Sequence, residues 1–492
     1  MRIKLKNAIE VHLLLIFFLS FYFIVISFKL ITHPTPFYDW DESINVQVSK
    51  EIIENKSLVP LWQGNPWFDK PPLPFLFFGI IMKLTPFIQP EISLRITALF
   101  LSLLALVFIY SVFLKAVKQK LIAFLAVVIT AFTPIFLQRS QIVNLDVFLI
   151  IGWLGYILFV QNFWLSLFFL TVGVLSKSLL GFYPTGIMLA YYSLLFLKPL
   201  RLNSNQEMGK PQRLIKQILI QVGILSFWYV IMLVIFGKDF WQQHIVETHF
   251  RRVTASIESH FGQRTYYIDL IREQLGWFFG VSVIGFSLIV WRFLNRQLTT
   301  DRLMYSLFLF PWFIFLNLTK TKIFWYIYPA IPQFAFLSVY PLTLLKNKKV
   351  ILYLVSCILI FYVINNNFIK TNFFTTFYSK PEDYYHLALY ARNHCDSLTV
   401  LVGKETREAI KTLEDLELTI SSTKQWGDHP SMVYYFSKDV AFYYHENLLI
   451  KNLLSFPDYR CLAIREDDLD LVTKNKQFVK LKNFNSYYLF KQ

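Results

Sequence analysis

The stretch Asp39–Leu73, DWDESINVQVSKEIIENKSLVPLWQGNPWFDKPPL, decides the fold class. It carries Asp39, Asp41, Glu42, Glu51, Glu54 and Asp69 together with Lys50, Lys56 and Lys70. It follows closely on an apolar run, Val11 to Ile31, whose one formal charge is Lys29 near its end. A helix crosses a bilayer in about 20 apolar residues, so these acids fall just beyond the lipid. The run is longer than the apolar core of a cleaved signal and no small-residue cleavage site follows it, which makes it a retained helix.

Composition agrees with a polytopic membrane protein: 55% of the 492 residues are hydrophobic, with 51 Phe, 27 Tyr and 12 Trp, and mean hydropathy is +0.45. That profile lies outside the soluble range. The net charge of +16 does not point to nucleic acid, because the bases are not gathered into one patch. Instead 17 of them fall in five clusters between apolar runs: Arg2, Lys4, Lys6; Lys115, Lys118, Lys120; Lys198, Arg201, Lys210, Arg213, Lys216; Arg292, Arg296, Arg302; and Lys346, Lys348, Lys349. Glu10, Glu207 and Asp301 are the acids among them, so the positive-inside rule makes these the cytoplasmic loops.

Threading the chain through those clusters predicts an inside N-terminus and eleven spans. They lie near 11–31, 93–114, 121–137, 146–161, 163–177, 178–197, 217–236, 274–291, 303–318, 323–344 and 350–367. The expected division is a transmembrane domain 1–370, with residues 32–92 as its first extracytoplasmic loop, and an extracytoplasmic α/β domain 371–492. In the latter, helical patterns (Pro381 to Cys395, Lys404 to Glu417, Asp439 to Phe456) alternate with strand-like runs (Leu398 to Val402, Met432 to Phe436, Cys461 to Ile464, Tyr487 to Phe490). Cys357 falls inside a span, whereas Cys395 and Cys461 share the outer domain, where an oxidising compartment permits a disulfide.

The loops assigned outside carry the chemistry. The first holds the acids above and Lys70; the second, RSQIVNLD, holds Arg139 and Asp146. The third, 237–273, holds His244, Glu247, His249, Arg251, Arg252, His260 and Arg264, followed within it by Tyr266 and Tyr267. A short fourth turn holds Lys320 and Lys322. Ionisable groups at a membrane boundary point to function. Asp41 and Glu42 also open the stretch VQVSKEIIE, where an acid meets free helix N–H groups. Lys70 precedes Pro71 and Pro72, which fix its backbone. No Cys/His spacing of the zinc type is present, and a divalent metal is not indicated.

The order DE (41–42), GNPWFDKPPL (64–73), RSQIVNLD (139–146), GVLSKSLLGFYP (173–184), ETHFRR (247–252), GQRTYY (262–267) and KTKIFWYIYPAIP (320–332) resembles the bacterial lipid A aminoarabinose transferases. The same order is similar to the protein O-mannosyltransferase superfamily, and both belong to the GT-C class of glycosyltransferases. The resemblance runs over roughly residues 1–345, and FDKPPL is its most specific piece. It implies a mainly α, polytopic fold with about eleven membrane helices plus juxtamembrane helices. Leu73 to Ile88 would be one of the latter rather than a span.

The resemblance further implies a polyprenyl-phosphate sugar as donor, a glycolipid or protein acceptor, and no required cofactor. The family's catalytic aspartate falls on Asp41 with Glu42 beside it, its acid–lysine pair on Asp69 and Lys70, and its second-loop acid and arginine on Asp146 and Arg139. Asp69 stands where Glu is common. The third-loop base falls on Arg251 or Arg252, the later lysines on Lys177 and Lys322. His260, Tyr266 and Tyr267 complete the expected site. On chemical grounds cations must meet the charge growing on the leaving phosphate, here Lys70, Arg251 or Arg252, and Lys322. A carboxylate must orient the acceptor or take its proton, here Asp41. A transporter or flippase is the alternative, but such proteins place charge within the spans.

The predicted orientation is testable by cysteine labelling. A cysteine in the Lys198–Lys216 loop should resist a membrane-impermeant thiol reagent and one near Gly427 should react; the reverse pattern would invert the topology.

Overall fold

A computed structural model describes residues 2–196, 211–369, 381–453, 460–473 and 478–491. Lys198, Arg201, Glu207 and Lys210 of the third basic cluster lie outside them, as does the expected 370/371 boundary. The protein is mainly helical, with a small sheet near the C-terminus. It divides into two compact units, Met1–His33, Leu94–Phe240 and Gly262–Phe377 forming the first, and Pro34–Ser93, Trp241–Phe261 and Tyr378–Gln492 the second. Residues 34–93 and 241–261 therefore group with the C-terminal segment, while the rest of the third loop groups with the first unit.

The first unit is built from apolar helices. Among the described residues four helical runs are long and apolar enough to cross a membrane: Val11–Thr32, Pro90–Val117, Phe163–Ser193 and Pro211–Thr254. A fifth arises if Tyr266–Leu275 and Phe278–Leu294, bent by 110°, make one span. Lys120–Phe132, Asp146–Leu158 and Lys349–Ile364 are shorter apolar helices. Outward-facing Phe17, Phe28, Phe227, Val234 and Phe361 are each at least 59% exposed, the surface of a protein that meets lipid rather than water.

Two of those runs are not straight. In Phe163–Ser193, Ser178 adopts φ 55, and a Cβ on Gly181 would lie 2.2 Å from the Val174 nitrogen. The chain has therefore folded back along itself at Ser178, where the sequence separated two spans. Gly152 lies equally close to Gly173, 2.7 Å from a built Cβ to its nitrogen. Three segments thus meet backbone to backbone at Gly152, Gly173 and Gly181, the small-residue contact that lets helices associate in lipid. Amides bond across the bundle as well: Gln217 Nε2 donates to the Val160 carbonyl (2.8 Å) and Gln221 Nε2 to Ser166 Oγ (2.8 Å). In the longest run Gly237, at φ 52, breaks the helix before Trp241–Arg251, an amphipathic π-helix.

In the second unit, Asp41–Glu54 and Leu73–Leu84 form a helical pair. Gly79 brings the second helix against the Ser49 carbonyl, 2.3 Å from a built Cβ. Leu73–Leu84 is an apolar helix too short to span, as the resemblance implied. Between the two sits a hairpin, β1 (Leu61–Trp62) and β2 (Asn65–Pro66), turning through Gln63 at φ 49 and Gly64 at φ 77. Positive φ at both central residues is the mark of a type I′ turn.

The C-terminal sheet comprises β3 (Ser397–Leu401), β4 (Val440–Tyr443), β5 (Arg460–Arg465), β6 (Val479–Phe484) and β7 (Tyr487–Lys491) in the order β4-β3-β5-β7-β6. β3 pairs parallel with β4 and β5, and β7 pairs antiparallel with β5 and β6. Cys395 and Cys461 form a disulfide at a Cα separation of 5.8 Å.

Two expectations fail here. Met432 to Phe436 is not a strand but part of the helix Ser431–Phe436. A short apolar run fits either state, and the preceding Pro430, fixed at φ −59, is already helical. Asp439 to Phe456 is not one helix: β4 occupies Val440–Tyr443 and a helix only Glu446–Leu453, while 454–456 lie outside the described residues.

The glycine contact makes a measurable demand. Gly152→Val inserts atoms where backbone already lies, so it should destabilise the fold by about 1–3 kcal/mol. Gly186, with no atom within 4 Å of a built Cβ, should tolerate Ala without loss. Thermal unfolding in lipid nanodiscs compares the two variants.

Candidate functional site

Each unit gathers its own polar cluster. In the first unit, the antiparallel packing of Asp146–Leu158 against Phe163–Lys177 brings the start of one helix to the end of the other. Asp146, at a helix N-terminus, and Lys177, at a C-terminus, each sit where the helix dipole favours its charge. They pair at 2.7 Å, with Arg139 3.5 Å from the other carboxylate oxygen. All three are buried. Lys177 lies over the Tyr326 ring (5.4 Å) and Arg139 over Trp325 (5.4 Å). Both oxygens of Asp146 are thus engaged by cations.

Lys322 donates to the Leu316 (2.9 Å) and Asn317 (3.1 Å) carbonyls at the end of helix Phe310–Leu318, and lies 5.1 Å above the Tyr267 ring. Burial lowers its pKa. Its ammonium caps a helix. Tyr267 clamps the backbone of Ile323, its hydroxyl donating to the carbonyl (3.0 Å) and accepting from the N–H (3.1 Å), while Tyr266 packs edge-on against it.

The second unit holds Asp41, Glu42, Asp69, Lys70, Arg251, Arg252 and His260. Asp69 Oδ2 accepts from Lys70 Nζ (2.8 Å) and Oδ1 from Thr248 Oγ1 (2.6 Å). Burial alone would raise the Asp69 pKa. The charges of Lys70 and Arg252 and the two hydrogen bonds outweigh it and hold the carboxyl well below its usual range. Arg252 faces this pair and lies 3.4 Å from Glu258. Arg251 instead donates to the Thr419 (2.8 Å) and Glu417 carbonyls. Arg252 is thus the arginine beside the Asp69–Lys70 pair, while Arg251 ties the π-helix to the 417–419 segment.

His244 Nδ1–H donates to the Phe68 carbonyl, and burial, aided by Lys70, pushes its pKa down to about 4. His249 is pushed down to about 3 by burial and by His244 and Lys70. His260 is also lowered, by burial and then Arg252. Among the described residues no group of three His, Cys, Asp or Glu is placed to hold a metal ion.

Glu42 is 1% exposed and accepts from the Tyr38 N–H at 2.7 Å. That bond fixes the turn ahead of the helix. Asp41 follows Trp40, which is 46% exposed and held at φ 68. A bulky residue in the left-handed region stores strain of about 1–3 kcal/mol, a recurrent feature of functional sites. The strain is held by Asp39, whose two oxygens accept from His429 Nδ1 (2.7 Å) and the Ser431 N–H (3.0 Å). His429 is itself stacked on Tyr384, centroids 4.1 Å apart. Sequence reasoning missed His429 and Ser431, since they lie about 390 residues from their partner in a turn with no motif.

With this geometry in view, the chain is similar in fold to solved structures, three of which follow. Two are ArnT from Cupriavidus metallidurans, bound to undecaprenyl phosphate (TM-score 0.67, 11% identity, 97% of each chain) and in the apo state (0.68, 11%, 98% of each). The third is the archaeal oligosaccharyltransferase AglB from Archaeoglobus fulgidus, in complex with an inhibitory peptide and a dolichol-phosphate (0.56, 12%, 92% of this chain and 70% of that one). The chain shares their fold. Both neighbours are GT-C glycosyltransferases, the class that the motif order resembled. By sequence, neither a family model nor a curated protein matches. The fold is thus shared at 11–12% identity.

The buried histidines set a pH dependence. An unfolded histidine binds its proton near pH 6.5, whereas His244 and His249 bind theirs near 4 and 3. Between pH 6.5 and 4 the unfolded chain holds more protons, so stability falls as pH falls, by up to about 1.4 kcal/mol per histidine per pH unit. His249→Asn should flatten the slope of melting temperature against pH; an unchanged slope would assign the effect to other groups.

Proposed function

We propose that the protein is an eleven-span glycosyltransferase of the bacterial inner membrane, N-terminus inside. It moves a hexosyl or pentosyl group from a polyprenyl-phosphate donor to an extracytoplasmic acceptor, a glycolipid such as lipid A or a protein, with inversion. The observation that carries this reading is the end-to-end match, 97% of both chains, to a structure bound to undecaprenyl phosphate. Charge in the first unit supports it against a transporter: Arg139 and Asp146 stand at the ends of short helices.

In the proposed single displacement the acceptor hydroxyl oxygen attacks the anomeric carbon while the bond from that carbon to the phosphate oxygen breaks. The electron pair leaves on the phosphate and the hydroxyl proton passes to Asp41. Lys70, 18% exposed, and Arg252 meet the growing phosphate charge. Asp69 and Thr248 hold Lys70 in place, and Glu42 with Asp39 hold the segment bearing Asp41. A single attack without an enzyme nucleophile inverts the anomeric centre. Lys322, with two of its donors on helix carbonyls, serves the scaffold first.

Deleting the gene should remove one sugar increment from a glycolipid or glycoprotein and accumulate a polyprenyl-phosphate sugar, both read by mass spectrometry. Wild type should reverse both changes. Asp41→Asn, nearly isosteric, should cost about a hundred- to ten-thousand-fold in transfer and restore neither at equal expression. Full rescue by Asp41→Asn would remove it as the base, and an unchanged lipid and glycan profile on deletion would remove the glycosyl-transfer reading.

A further inference from the structure

The residues just ahead of Asp41 are gripped at two points by the C-terminal segment, to which the proposed transfer assigns no part. Both points are on or beside the helix Ser431–Phe436. At one, Asp39 is held by His429 and the Ser431 N–H. At the other, the Tyr435 hydroxyl accepts from the Phe37 N–H (2.7 Å) and donates to Glu91 Oε1 (3.1 Å). Ser431 and Tyr435 stand four residues apart and so share one face of their helix. Phe37 is 0% exposed and Tyr435 5%, so loss of the hydroxyl would leave a buried donor unpaired. The Phe37 ring also packs edge-on against Tyr434, centroids 5.3 Å apart.

The grip is braced from behind. Adjacent Tyr384 and Tyr385 on the helix Asp383–His394 lie against its two anchors. The first is stacked on His429, and the second is edge-on to Tyr435 with centroids 4.7 Å apart. Ser437, where the gripping helix ends, accepts from Lys50 Nζ on the helix that Asp41 begins. On that helix's own side, the Trp40 carbonyl accepts from the Ile44 N–H (2.9 Å) and Ser43 Oγ (3.0 Å). The chain is thus pinned at Phe37 and Asp39 before Trp40 and by the helix after it, which is what a residue held at φ 68 requires. Misplacing a reacting group by about 1 Å costs about a hundredfold in rate, so the pins matter to chemistry as well as to folding.

We propose that His429 and Tyr435 are positioning residues for the transfer: through Asp39 and the Phe37 amide they hold Trp40 in its strained conformation and so fix where the Asp41 carboxylate meets the acceptor. The effect on transfer rests on the glycosyl-transfer reading; the hold on Trp40 does not.

The test pairs variants that remove or keep single hydrogen bonds. Tyr435→Phe deletes the hydroxyl between Phe37 and Glu91, whereas Tyr434→Phe deletes one with no hydrogen bond among the described residues. His429→Gln moves the N–H one carbon away from Asp39, whereas His429→Asn keeps an N–H where Nδ1 stands. Full-length protein labelled with fluorotryptophan, in nanodiscs, gives a fluorine NMR resonance for Trp40, assigned by its loss in Trp40→Phe. Tyr435→Phe and His429→Gln should shift or broaden that resonance, and their two controls should not. In cells lacking the gene, at equal amounts of folded protein, Tyr435→Phe and His429→Gln should return the missing sugar increment about tenfold more slowly after induction. Tyr434→Phe and His429→Asn should return it at the wild-type rate. A resonance unmoved by Tyr435→Phe and His429→Gln, equal losses in the two controls, or wild-type transfer by Tyr435→Phe and His429→Gln while Asp41→Asn is inactive would each overturn the proposal. Transfer by Asp41→Asn at the wild-type rate would instead refute the base assignment, and the hold on Trp40 would then be decided by the resonance alone.

Discussion

A buried carboxylate accepting backbone N–H groups is the bond on which the second unit depends. Glu42 takes the amide of Tyr38, Glu51 those of Gln63 and Gly64, Asp39 that of Ser431, Glu247 that of Ser421 and Asp428 that of Gly403. Hydrogen bonds to a charged acceptor are roughly twice as strong as neutral ones. Each also satisfies a donor in a turn or chain end that neither helix nor sheet provides for. Loops from three separate parts of the chain acquire defined backbones in this way, beside the apolar core that the unit also buries.

This changes how the acid-rich stretch after the first helix is understood. Within that density of charge, Asp39, Glu42, Glu51 and Asp69 fix backbone or neighbouring side chains. What distinguishes Asp41 is its neighbour Trp40, forced to φ 68. The strain is localised where the second unit over-determines the backbone, with Asp39 held on one side and Glu42 on the other.

Much of the architecture was legible. The helix ends at 163 and 177 and the strands at 397–401, 460–465 and 487–491 follow from apolar period and β-branched content, and the short helix after the Pro-Pro pair from the resemblance. The GT-C resemblance rested on motif order, which outlasts identity because motifs mark fixed points in the fold. Three things were not legible. Ser431–Phe436 reads equally well as a strand, because five apolar residues carry no period. The choice between adjacent Arg251 and Arg252 depends on which way a π-helix turns. The grouping of His429 with Asp39 depends on a tertiary contact that leaves no trace in either local sequence.

The long separation of those partners has a consequence for synthesis. Asp39 leaves the ribosome 390 residues before His429. At about 5–20 residues per second, that is roughly 20–80 s during which Asp39 lacks the two partners that hold it. Through that interval the nascent loop is a segment that translocation machinery or chaperones must shield. Completion of the second unit is therefore coupled to the end of translation, and truncation anywhere upstream of residue 429 leaves the Asp39 anchor open.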